Sequence, residues 1–174
     1  LNFNLFYGSV NVSDAIAAAK NVCSNNVCNS ARPYSTTSYV VVPAGQSAEQ
    51  MTISTYASGT FESEDVFNVF LGAIQAMATV SMNSTQFGYF DSNGPHYINQ
   101  FYGNYYFEAT LANGCGGKSE LQVWMEAQPP TPAMMCDSLW SGTVTDLIWG
   151  FIPPLGGIVA GITNLACGEL DGNS

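Results

Sequence analysis

Apolar and polar positions alternate from the start of the chain, with Leu1, Phe3, Leu5 and Tyr7 set against Asn2 and Asn4. A period of two predicts a half-buried strand. The period then changes. Val12, Ile16, Ala19 and Cys23 fall on one helical stripe, with Ser13 placed to cap it and Asp14 near its positive end, so a short helix to about Asn25 is predicted. TSYVVV, ending at Pro43, and QMTISTYA, in which Met51, Ile53 and Thr55 alternate inward, predict a hairpin around the turn AGQS. The clearest helix is SEDVFNVFLGAIQAMATVSMN. Ser63 is its cap, Glu64 and Asp65 fill the first turn, and Val66, Phe70, Ile74 and Met77 form the core-facing stripe. Nine aromatics from Gln86 to Phe107 continue as strands broken by the turn DSNGP, and KSELQVWMEA adds a strand with Leu121, Val123 and Met125 inward.

The order through residue 127 is thus β-α-β-β-α-β-β-β. It predicts an α+β sandwich domain over 1–127, an antiparallel or mixed sheet with two helices on one face. QPPTP opens a stiff connector over 128–135, since consecutive prolines continue neither sheet nor helix. Between Asp146 and Glu169 no residue carries a charge. A spanning helix needs roughly 20 apolar residues, but Pro153-Pro154 and Gly156-Gly157 interrupt this run, so two helices folded back at PPLGG are expected. A Cys136–Cys167 bridge would staple this apolar hairpin over 136–174. Its counterpart is the domain itself, another copy of the chain or a target membrane. The contact residues would be Trp149, Phe151, Ile152, Leu155 and Ile158, joined by Leu1, Phe3 and Leu5 of the terminal strand.

Charge narrows the partners. Only 9% of residues are charged, against about 25% in an average domain, and Lys20, Arg32 and Lys118 face thirteen acids for a net charge of −10. No basic patch exists to neutralise phosphates, which excludes nucleic acid, and docking on anionic lipid by charge fails for the same reason. The five cysteines, Cys23, Cys28, Cys115, Cys136 and Cys167, lack paired zinc-ligand spacings and have His96 as the only histidine, so disulfides are expected, with one cysteine left over. Sequons at Asn11 and Asn83, and an opening on Leu1-Asn2-Phe3 without Met, as after removal of a signal peptide, fit a secreted or cell-surface glycoprotein.

Candidate chemistry changes little. ANGCGGKS (112–119) matches a P-loop formally, but a strand pattern follows where phosphate binding needs a helix N-terminus. His96 has Asp91 and Ser92 near it in sequence, which is not convergence in space. No catalytic residue, cofactor or metal site is expected. YINQFYGNYYF (97–107) mixes aromatic faces with amides, so Tyr97, Phe101, Tyr102 and Tyr105 are candidate contacts for a glycan or protein. The expected role is that of a non-catalytic extracellular protein acting by self-assembly or binding. A small secreted membrane-active toxin or effector is the second expectation, and a glycan-binding module the third.

Overall fold

A computed structural model describes residues 4–41, 48–112 and 117–128, and among them two antiparallel sheets and two helices form. In order these are β1 (Asn4–Gly8), α1 (Val12–Ala17) followed by a 3-10 turn (Ala18–Asn21), β2 (Cys23–Ser24), β3 (Val27–Cys28), β4 (Tyr34–Val41), β5 (Ala48–Thr60), α2 (Glu64–Ser81), β6 (Asn83–Asp91), β7 (Gly94–Asn104), β8 (Tyr106–Ala112) and β9 (Lys118–Gln128). The small sheet has the order β1-β7-β6. The large sheet runs β2-β3-β5-β9-β8, with β4 also on β5. The fold is therefore α+β and antiparallel, with two sheets in place of the single one expected, because β1 pairs with β7 and not with the β4–β5 hairpin. The turn AGQS, residues 129–135 of the connector and the whole apolar segment 136–174 with its Cys136–Cys167 bridge lie outside the described residues.

The core forms where alternating faces meet the helices. Ile53, Thr55 and Ala57 of β5 lie opposite Ala127, Met125 and Val123 of β9, and all six are buried. Both helices pack on β9 and on each other. Large side chains buried this fully contribute roughly 1.5–3 kcal/mol each. Two polar ties fix the layers: Thr55 Oγ1 donates to the carbonyl of Ala15 (2.8 Å), and Gln75 Nε2 of α2 donates to the carbonyl of Ser13 (3.1 Å).

Local signals fared unevenly. Ser63 caps α2, its Oγ accepting from Val66 N. The cap of α1 is Asn11 and not Ser13, because Asn11 has the extended backbone a cap requires and its Oδ1 accepts from Ser13 N at 2.8 Å. That helix also stops early. Residues 23–28 fold instead into a two-stranded hairpin, with Asn25 and Asn26 both at positive φ in its turn and a disulfide joining Cys23 to Cys28. In α2 the buried stripe is Phe67, Phe70, Leu71, Ile74 and Ala78. Met77 is 49% exposed and Val66 only half-buried, so the buried face is rotated from the expected stripe toward Phe67 and Leu71.

β1 holds the two sheets together. The Tyr7 hydroxyl donates to the carbonyl of Asn104 at the end of β7 (2.6 Å), and the Tyr7 carbonyl accepts from Ser38 Oγ of β4 (2.6 Å). Gly8 follows at φ +60°, and a Cβ there would stand 2.7 Å from the Tyr39 carbonyl and 2.9 Å from Met51 Sδ. Gly8→Ala should therefore destabilise the fold by about 2–4 kcal/mol, from left-handed strain plus overpacking, read as a lower urea midpoint. Burial raises the Tyr7 pKa well above its ordinary value of 10.0. The unfolded chain then ionises first, so stability present below pH 10 is lost as pH rises beyond it. Tyr7→Phe should cost about 1 kcal/mol at neutral pH, with the gap to wild type narrowing as the pH of the denaturation series passes 10.

Candidate functional site

Strand β6 and its partner β7 form an arm whose tip is built by short-range hydrogen bonds. Asp91 lies opposite Gly94 across the two-residue turn Ser92-Asn93. Its Oδ1 accepts from Asn93 N at 2.7 Å and lies 2.8 Å from His96 Nε2. The imidazole in turn stacks on Tyr89, with centroids 5.0 Å apart and planes 21° from parallel. Asp91 and His96 thus converge, but as an exposed pair that fastens a turn. Behind the tip Tyr97 lies across Gly88. Its Cε1 is 3.2 Å from where a Cβ would stand, so the missing side chain makes room for the ring.

The four candidate contact aromatics do not line a single face. Tyr97 and Phe101 sit on one face of β7, Tyr102 points to the other, and Tyr105 is buried beyond the strand's end. Tyr97 and Phe90 are each 68% exposed. Leu5 is buried in the domain's own core and is not presented to a neighbour. Asn83 is exposed at the start of β6, and Asn11 is half-buried at its cap. Leu1, Phe3, Cys115, Cys136, Trp149, Phe151, Ile152, Leu155, Ile158 and Cys167 lie outside the described residues.

What distinguishes the arm is its edge. Among the described residues β6 pairs with β7 alone, and from Asn83 to Phe90 it carries no charge and no proline. Natural sheets blunt such edges with charges, prolines, bulges or a cover. The other edges follow that rule. β4 is covered by Ser9, whose N donates to the Tyr39 carbonyl at 2.9 Å, and by Gln100, whose Nε2 reaches the same oxygen at 3.1 Å. The register of β1 shifts between Phe6 and Gly8, and β8 carries Glu108 as its third residue.

Two further surfaces escaped the sequence reading. On the face of the large sheet opposite the core, Tyr106, Trp124 and Tyr56 form one row across β8, β9 and β5. Tyr56 and Trp124 stack with centroids 5.5 Å apart and planes 4° from parallel. The Tyr56 hydroxyl donates to Glu126 (3.1 Å) and that of Tyr106 to Glu108 (3.4 Å). Burial first, then the neighbouring carboxylate, raises the pKa of each phenol. The outer side of α2 exposes Val69, Met77 and Val80, and α2 has no charge after Asp65.

At the P-loop-like stretch, Lys118 opens strand β9 and pairs with Glu120 at 2.7 Å, so no helix follows it. Among the described residues no group of three or more His, Cys, Asp or Glu could hold a metal ion, and no helix is long and apolar enough to cross a membrane. Among protein-family models, curated proteins and solved structures, none matches the chain.

The Asn93 amide, and His96 after it, lower the Asp91 pKa. The carboxylate's hold on the turn is then complete above the ordinary carboxyl pKa and fades as pH falls through the lowered value. The Asn93 amide resonance should shift upfield on acidification from about pH 5 to about pH 2, and Asp91→Ala should abolish that shift.

Proposed function

We propose that this chain is a non-catalytic interaction subunit that associates with further copies of itself by pairing the β6 edges of two arms. The observation that carries this is the undefended edge, a nine-residue strand whose outer side pairs with no other described strand and which has a charge only at its last residue. Two-fold association is self-complementary. Antiparallel pairing centred on Phe87 sets Thr85 opposite Tyr89 of the second copy and Asn83 opposite Asp91, so no like charges meet. The result is a continuous sheet of six strands in which backbone hydrogen bonds supply affinity. Phe90 and Tyr97, near the tip, add apolar contact.

An extracellular or cell-surface setting belongs to the same proposal. The Cys23–Cys28 bridge is compatible with it, because such bonds persist in oxidising compartments. Opposing association is the net charge of −10 on each copy. That repulsion acts through solvent and weakens as salt shortens the screening length.

Sedimentation velocity on protein made without N-glycans, so that Asn83 is bare, tests the reading. Wild type should form a dimer that tightens as salt rises from about 0.01 M to about 0.15 M. Gln86→Lys, at an exposed position on the edge, should be monomeric with an unchanged circular dichroism spectrum. Thr110→Lys on the β8 edge should dimerise like wild type. A wild type that stays monomeric throughout, or a Gln86→Lys variant that still dimerises, would sink the proposal.

A further inference from the structure

A cleft of about 690 Å³ opens between the disulfide-closed hairpin and the start of α2, within the range of roughly 300–1,000 Å³ of small-molecule sites. Its walls are fixed before any ligand arrives. On one side the Cys23–Cys28 bond closes the β2–β3 hairpin, β3 pairs with the end of β5, and Phe61 N donates to the Asn26 carbonyl at 2.9 Å. On the other side α2 begins at its Ser63 cap. The floor is the Phe61–Phe67 pair, with ring centroids 5.0 Å apart and tilted by 53°.

Around that floor stand Lys20, Asn25, Asn26, Glu64 and Asn68. None of these five side chains spends a hydrogen bond or an ion pair on the rest of the described protein. Their chemistry selects a ligand class. Three amides donate and accept at once, the ammonium only donates and the carboxylate only accepts, which suits neighbouring hydroxyl groups that do both. The one positive and one negative charge cancel. A phosphate or sulfate would meet Glu64, with Asp65 beside it, on a molecule of net charge −10, and a cation would meet Lys20. Phe61 and Phe67, both largely buried, give the cleft an apolar floor against which C–H groups can pack.

We infer that this cleft binds a neutral saccharide of one or a few units. Hydroxyls bridge Asn25 and Asn26 on the hairpin wall to Asn68 and Glu64 on the helix wall, and Lys20 donates to a ring or hydroxyl oxygen. The cleft lies on other elements than β6 and β7, so its occupancy does not depend on edge pairing.

The test is titration calorimetry on the full chain with its disulfide intact. The probes are short neutral oligosaccharides of glucose, mannose and N-acetylglucosamine, with inorganic phosphate and a sulfated disaccharide alongside. At least one neutral probe should bind and the anions should not. Asn68→Ala, on an exposed helix position, should weaken binding by about fivefold, one net hydrogen bond. Asn25→Gly should do the same, since glycine keeps the positive φ of the turn while removing the amide. Tyr97→Ser, on the arm, should bind like wild type. Three results would overturn the assignment: a folded protein blank to every neutral probe, binding of the anions instead, or a double Asn25→Gly, Asn68→Ala variant that binds as tightly as wild type.

Discussion

The crossing of β1 over the end of β4 is the constraint on which the rest of the molecule depends. One residue, Tyr7, is hydrogen-bonded to the small sheet through its hydroxyl and to the large sheet through its carbonyl, and Ser9 then bonds the Tyr39 carbonyl. Such proximity of two backbones is possible only because Gly8 has no side chain and adopts a positive φ. From this corner the small sheet is aimed. β7 is held at its far end by Tyr7 and near its middle by Gln100, which is buried against β4. The remainder of the hairpin, toward Asp91, then extends as an arm with one face exposed and the other, bearing Tyr89, His96 and Ile98, half-buried.

Much of this was readable from local pattern. Met51, Ile53 and Thr55, and likewise Leu121, Val123 and Met125, alternate with polar neighbours and are buried as that alternation requires. Ser63 sits before two acids and an apolar run, and it caps. The stripe of α2 was harder to phase because Val66, Val69, Met77 and Val80 are apolar too, so hydrophobicity alone permits more than one buried face. The β2–β3 hairpin consists of two-residue strands, too short for any period. Its signal lay elsewhere, in two asparagines, which tolerate positive φ, enclosed by two cysteines.

The candidate surfaces were less legible because each is a product of register. Tyr56 and Trp124 are 68 positions apart and meet only through the pairing of β5 with β9. The cleft joins residues 20–26 to 61–68, a proximity fixed by β3 docking on the end of β5. Tyr97, Phe101, Tyr102 and Tyr105 looked like one surface because they are close in sequence, but alternation along a strand sends neighbours to opposite sides. Low charge was the more dependable guide. It leaves the chain to present amides, hydroxyls and bare backbone to its surroundings, and those groups make up the β6 edge and, beside Lys20 and Glu64, most of the polar rim of the cleft.

β5 bears a consequence for how the chain is made. Its thirteen residues are flanked by β4 and β3 on one side and by β9 on the other. β9 is the last strand in chain order among the described residues, and about sixty residues separate it from β5. On a ribosome the central strand therefore waits, half-paired and with its apolar face open, until nearly everything up to Gln128 has emerged. Assembly that is late and long-range in this way is intrinsically slow, and the waiting intermediate is a natural client for chaperones.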